Sequence, residues 1–270
     1  MGNAKQQQTK TNHHKRIIRT IIPIRNNSPQ NHGQSRTTNQ EVGTNRILPR
    51  TMTTQTKKQW EQVSNTNTLD TLTLGPINTE TLIKDPKHLA FTLSRYKFAN
   101  KMLEEQDEIG EIGCGEGLGA LFFQNKKYTG IDLDRKQIEY ANTHVKKHSI
   151  GTPEFVCRDI IKAAYGRYHG LLCLDVIEHI APINQADFLK HLHLMIEKGG
   201  VAIIGTPSKN ASAYQSERSR IGHINLFTPE RFQQTLREHF TQVFFFGMND
   251  EVVHTGFADM NHYLLAVCIR

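Results

Sequence analysis

The chain reads as an α/β protein built on a doubly wound, mostly parallel sheet with an antiparallel C-terminal edge. Three observations predict this. Short apolar runs alternate with amphipathic stretches between residues 108 and 239, a glycine-rich turn follows the first of those runs, and the last two strand-like runs have no good helix between them. The 270 residues, 37% apolar and 22% charged, suffice for one substantial core. The longest uninterrupted apolar run is Tyr263–Ile269, far short of the roughly 20 residues that a membrane-spanning helix needs. Cys114, Cys157, Cys173 and Cys268 are widely spaced with no Cys-x-x-Cys pair. That pattern argues against a disulfide scaffold or a structural zinc site and fits a reducing, cytoplasmic setting.

Charge divides the chain. Residues 1–51 hold nine Lys or Arg against one acid, Glu41, so the tail carries +8 of a total of +7 and the remainder carries −1. The tail has 13 Asn or Gln, no aromatic residue and only 10 apolar ones, too few to offset the entropy of ordering it, so it is expected to be a disordered basic tail. Within it, Ile17, Ile18, Ile21 and Ile22 share one helical face and Lys15, Arg16 and Arg19 another, the pattern of a transit peptide or an anchor for an anionic surface; a solvated arm with a short apolar patch is the preferred reading. Residues 52–84, Thr-rich with the lone Trp60 and a Gly75-Pro76 turn, read as a linker or N-terminal extension.

The globular domain is expected over residues 85–270. Asp85-Pro86 supplies an N-cap and first helical residue for a helix of roughly five turns. Strands are expected at 108–112, 128–131, 154–157, 171–174 and 201–204, with helices near 117–125, 135–147, 183–197 and 229–239. Residues 242–246 and 262–269 form the antiparallel edge.

The glycine-rich turn, Glu111-Ile-Gly113-Cys114-Gly115-Glu-Gly117-Leu-Gly119, lies where the ends of parallel strands make a ligand crevice. Residues 115–120 also fit the dinucleotide template G-x-G-x-x-A. A nicotinamide dinucleotide would bring a pyrophosphate to this helix start, yet Glu111 and Glu116 flank it with negative charge. A turn of that charge suits a cationic ligand better and disfavours a nicotinamide-dependent oxidoreductase.

These residues resemble the first motif of the class I S-adenosylmethionine-dependent methyltransferases, usually E-x-G-x-G-x-G, matched at Glu111, Gly113, Gly115 and Gly117. Further motifs follow in that family's order: Gly130-Ile-Asp132, Arg158-Asp159 and Asp175-Val-Ile-Glu178-His179. The resemblance covers about residues 85–270, includes the branch that contains small-molecule O-methyltransferases, and implies a Rossmann-like fold with S-adenosyl-L-methionine as cofactor. It assigns cofactor contact to Glu111, Gly113, Cys114, Gly115 and Gly117, to Asp132 and Leu133 after the second strand, to Asp159 and Ile160 after the third, and to Asp175 after the fourth. Asp132 is implied for the ribose diol and Asp159 for the adenine amine, roles a carboxylate can fill as acceptor. Asp134 competes with Asp132, but with Gln137 it makes a capping box for the next helix.

Methyl transfer to a hydroxyl additionally needs a base. His179 and His223 are the histidines nearest in sequence to the expected cofactor mouth, and His223, in the long polar connection 205–225, is ranked first. Asp250, Glu251 and His254 hint at a metal, but without a second His at ligand spacing no metal is expected. The expected acceptor is a small molecule. A nucleic-acid or anionic-surface binder working through the basic tail is the non-catalytic alternative. A nucleic-acid base substrate is disfavoured because Asp175-Val-Ile-Glu178 stands where amino-methyltransferases of nucleic acids carry Asn or Asp-Pro-Pro-aromatic.

Overall fold

The computed structural model describes residues 54–66 and 71–270. The basic tail and its Ile-rich helical face lie outside the described residues. The chain divides between Ser64 and Asn65 into two units. Helix α1 (Thr54–Asn65), at the end of the first unit, buries none of its residues and leaves Trp60 and Val63 exposed.

The second unit opens with α2 (Pro76–Lys84) and α3 (Pro86–Met102), then β1 (Glu108–Ile112), β2 (Lys127–Asp132), α4 (Arg135–Tyr140), β3 (Glu154–Cys157) and β4 (Tyr168–Leu174). It continues through α5 (Gln185–Leu194), β5 (Ile196–Pro207), α6 (Glu217–Gly222), α7 (Pro229–Arg237), β6 (Gln242–Asn249), β7 (Val252–His254) and β8 (Tyr263–Ile269). The eight strands form one sheet in the order β3-β2-β1-β4-β5-β8-β6-β7. β3, β2, β1, β4 and β5 pair in parallel; β8 pairs antiparallel with both β5 and β6, and β7 antiparallel with β6. This is the doubly wound sheet with an antiparallel edge that the alternation predicts. β8 fills the interior position between β5 and β6, in a register running from Val201↔Ile269 to Pro207↔Tyr263.

Both faces of the sheet are covered, and the period of two in β4 shows it. Leu171 and Cys173 join the core under α5 and α7, with Phe188, Leu192, Phe232 and Leu236, while Leu172 and Leu174 join the core under α3 and α4, with Ala99, Leu103, Ile138 and Ala141. Each fully buried Phe or Leu removes enough apolar surface from water to contribute ~1.5–3 kcal/mol. Local signals set the helix starts. Asp85 accepts from the His88 N–H, Thr228 from the Arg231 N–H and Asp134 from the Lys136 N–H.

Two expected helices are corrected. The stretch 117–125 forms only a 3₁₀ turn, Leu118–Leu121, because Gly117 enters it in the left-handed region and Asn125 leaves it at φ 65°. The stretch 135–147 is α-helical only to Tyr140, widening into a π turn (Ala141–Val145) and tightening at Lys146–His148. There the Asn142 side chain donates to both Ile138 O and Phe155 O, drawing the helix toward β3. Helices α1, α2 and α6 and strand β7 are additions to the expected elements. The polar connection 248–257 is largely a hairpin, in which His254 Nε2 meets Asn249 Oδ1 at 2.8 Å and Gly256 N–H donates to His254 Nδ1.

Candidate active site

The site forms at the C-terminal ends of the parallel strands. From β1 the chain turns through Gly113, Gly115 and Gly117, all at positive φ (73°, 54° and 86°). All three are also crowded, Gly115 by Gln137 Oε1 at 2.9 Å from where its Cβ would stand. A Cβ on Gly113 would stand 2.3 Å from Val176 Cγ2, and one on Gly117 would stand 2.9 Å from Phe155 and Ala141. The turn is therefore packed against Val176 after β4, Gln137 of α4 and Phe155 of β3, with Gly113 and Gly115 half-buried and the residues between and after them buried.

The two acids that flank the turn are both committed to protein partners. Glu111, 1% exposed, accepts from Tyr96 Oη (2.7 Å) and from Tyr128 Oη. Burial raises its carboxyl to about 7, because desolvation outweighs the two phenol hydrogen bonds that favour the charged form. Glu116, 5% exposed, accepts from Ile77 N–H (2.7 Å), Asn78 N–H (3.0 Å) and Asn78 Nδ2 (2.7 Å), at the first turn of α2. Cys114 is buried beneath the turn.

Asp132 ends β2 and ties the turn in place: its Oδ2 accepts from Gly115 N–H and its Oδ1 from Asp134 N–H. Each carboxylate oxygen keeps capacity for a further donor. Leu133 beside it is 68% exposed, an apolar side chain left uncovered next to a carboxylate, while its carbonyl meets Cys157 Sγ at 3.3 Å. Asp159 follows β3, where its Oδ1 accepts from Ile161 N–H and its Oδ2 pairs with Lys162 at 3.4 Å; Ile160 is buried.

Asp175, after β4, has φ 56°, outside the range most side chains adopt. Three elements hold it there. Arg95 of α3 pairs with its Oδ2 at 2.5 Å, and its N–H donates to Gly205 O of β5 and to Tyr263 Oη of β8. The Arg95 guanidinium also stacks over the Tyr263 ring at 3.9 Å.

His179 and His223, far apart in the chain, come together with ring centroids 5.0 Å apart. Glu178 joins them: one carboxylate oxygen and one ring nitrogen from each histidine lie within 4.8 Å of one another. Among the described residues these three are the group with the spacing to hold a metal ion, and they are not the 250–254 acids and histidine that the sequence brings to mind. Glu178 is fully buried. Its Oε2 accepts from Thr206 Oγ1 and its Oε1 has no partner. Burial, then the charge of Asp175, raises its carboxyl to about 8. Burial and then the charge of His179 hold the His223 imidazole below the usual histidine range.

Hydrogen bonding sets the two rings apart. His179 Nδ1 meets Gly222 O at 2.9 Å, and a carbonyl only accepts, so that nitrogen carries the proton and Nε2 keeps its lone pair. His223 Nδ1 faces the Gln215 Nε2 amide at 3.2 Å, which in that orientation leaves its proton on Nε2. Sequence reasoning singles out both histidines but misses Arg95, Tyr263 and the role of Glu178 in the cluster. Only Glu178 had a signal, in its place directly before His179.

Residues 87–239 match a family model described as a methyltransferase domain. The chain is 33% identical over 115 residues to the ubiquinone biosynthesis O-methyltransferase of Rickettsia prowazekii, covering 40% of this chain and 42% of that protein. It is 32% identical over 108 residues to sphingolipid C9-methyltransferase 2 of Gibberella zeae, covering 37% of this chain and 20% of that one. The chain thus spans less than half the length of these curated relatives. The methyltransferase domain of bacterial CtHen1-C superposes with a TM-score of 0.55 at 16% identity, over 66% of this chain and 98% of that domain, a likeness of fold.

Proposed function

Since the chain belongs to the methyltransferase domain family that takes in residues 87–239, we propose that it transfers a methyl group from S-adenosyl-L-methionine to a hydroxyl of a small-molecule acceptor. The observation that supports this most strongly is the convergence of Glu178, His179 and His223 beside a glycine turn that abuts Val176, two residues from Glu178. The residues present suit the cofactor. The turn is half-exposed at Gly113 and Gly115, where no side chain blocks a close ligand, Asp132 has acceptor capacity for a diol, and the exposed Leu133 offers a base an apolar surface. Asp159 is the acceptor for the adenine amine in this reading. When bound, the cofactor supplies a sulfonium methyl group already activated for displacement, so the chain's residues contribute alignment and proton removal.

In this mechanism His179 is the base. Gly222 O orients the ring and holds the proton on Nδ1, leaving Nε2 to accept the acceptor's hydroxyl proton. His223, uncharged near neutral pH, donates from Nε2 to the acceptor oxygen and positions it. The two curated relatives are named for different acceptor atoms, oxygen in one and C9 of a sphingolipid in the other. The paired histidines favour oxygen here, because an oxygen nucleophile has a proton that a nearby imidazole can take.

The test is tritiated-methyl transfer over pools of hydroxylated metabolites, with cofactor affinity measured alongside by calorimetry. His179→Asn is expected to lower turnover on an accepted substrate by about 10²–10⁴-fold with cofactor affinity unchanged. Full turnover by that variant overturns the assignment of the base, and tight NAD binding with no response to S-adenosylmethionine overturns the cofactor. A second reading has its own support in the unpartnered Glu178 Oε1: a divalent cation held by Glu178, His179 and His223 would grip the acceptor oxygen. Loss of activity in chelator with recovery on adding magnesium, manganese or zinc separates the two.

A further inference from the structure

Helix α2 is fastened in an unusual way. None of its nine residues is buried, so apolar packing does little to hold it. On the side facing Tyr140 it leaves a largely apolar groove of about 500 Å³ lined by Leu74, Pro76, Ile83 and Tyr140 among others. Its N-cap, Gly75, makes no side-chain capping bond. Glu116 of the glycine turn does that work from 38 to 39 residues away, taking the Ile77 and Asn78 N–H groups and the Asn78 amide. A Cβ on Gly75 would stand 2.1 Å from the Glu116 carboxyl carbon, so only glycine lets the helix start come this close. Farther along α2, Glu80 pairs through Oε1 with Lys84 of the same helix at 2.6 Å and through Oε2 with Arg218 of α6 at 3.6 Å, an exposed contact to the segment that leads to His223. Polar ties at two points thus join α2 to the glycine turn on one side and to the acceptor-side segment on the other.

We propose that α2 is a lid over the cofactor cleft, latched by Glu116 and steadied by the Glu80–Arg218 pair, and that its release admits and discharges the cofactor. This rests on the reading above that the cofactor lies against the glycine turn. An element held by a few polar bonds opens at far lower free energy than the core around it. The buried Glu116 carboxylate makes the latch discrete, since its three hydrogen bonds form or break with the seating of the first turn. Closed, α2 shields the turn from water; open, it exposes Glu116 and the turn together.

The test compares wild type with Glu116→Gln and with Arg218→Ala, which loosens the outer tie from the surface. The release rate of radiolabelled S-adenosylhomocysteine is measured by rapid filtration after a chase with unlabelled compound. Amide hydrogen exchange of residues 75–84 is followed in the same proteins. Faster exchange in α2 together with at least about tenfold faster release in Glu116→Gln is the expected result, from loss of charge-assisted hydrogen bonds. Arg218→Ala, with the buried site intact, is expected to change both in the same direction by a smaller factor. Faster exchange with an unchanged release rate in both variants overturns the lid. Failure of wild type itself to bind S-adenosylhomocysteine overturns the cofactor reading, and the lid with it.

Discussion

Replacing Glu111 with Gln keeps the shape of the side chain and removes its titration. The amide oxygen accepts from one of the two phenols and the amide nitrogen donates to the other, so the buried position stays hydrogen-bonded. In the wild type the carboxyl is raised by burial from 4.5 to about 7 in the folded state. A raised value means that the folded protein holds the proton more tightly than the unfolded chain does. Its contribution to stability is therefore complete below 4.5 and is lost as pH rises through about 7. That rise corresponds to ~3 kcal/mol. Urea unfolding of both proteins at intervals from pH 4.5 to 8 measures the effect, because every other titration cancels in the difference between them. The advantage of wild type over Glu111→Gln is expected to shrink by ~3 kcal/mol across that range, with most of the change between pH 5 and 7. Parallel stability curves would refute the reasoning, because they would mean that the carboxyl ionises in the folded protein as readily as in the unfolded chain.

Three further outcomes are expected. Gly113→Ala meets both a left-handed backbone and Val176, and should destabilise the fold by about 1–3 kcal/mol in thermal or urea unfolding, with weaker cofactor binding. Asp132→Asn keeps an oxygen for one backbone N–H but loses charge and capacity; calorimetry should show cofactor affinity falling about tenfold or more, with the melting temperature little changed. Arg95→Met removes a buried guanidinium from the half-exposed Asp175, and unfolding experiments should show a loss of about 1–3 kcal/mol, less than a fully buried pair would give because water screens the remaining carboxylate, with Arg95→Lys recovering only part of it.

What the sequence makes legible follows the range of the interactions involved. The caps at Asp85, Asp134 and Thr228 act within three residues, and each is readable from spacing alone. The parallel strands are readable because burial on both faces leaves continuous apolar runs, as at Leu171–Leu174. The helix expected at 117–125 failed because Gly117 and Gly119 serve the turn's backbone geometry rather than helix propensity. Asp132 is singled out by motif order and the two histidines by their places after the fourth and fifth strands, but the partners of all three are not readable this way. The Glu116 tie to α2, the Arg95–Asp175 pair and the approach of His223 to His179 are made by tertiary folding between distant segments. The electrostatic argument drawn from Glu111 and Glu116 also changes, since each acid turns out to serve a neighbour in the protein: two phenols for one, a helix start for the other. Asp159 and Asp175 are likewise paired, with Lys162 and Arg95, so among the strand-end acids Asp132 is left to favour the cationic ligand of the proposed function.

The placement of β8 has a consequence for how the chain is made. It is translated after β6 and β7, yet it belongs between β5 and β6. Until it emerges from the ribosome, β5 has an unpaired edge and β6 has no neighbour on its inner side, two unsatisfied rows of backbone groups open to other chains. Tyr263, the first residue of that strand, is also what steadies Asp175 and stacks on Arg95. A nascent chain arrested before residue 263 should therefore be prone to aggregate and have an unfinished acceptor side, and release of the last strand would complete the sheet and the site in one step.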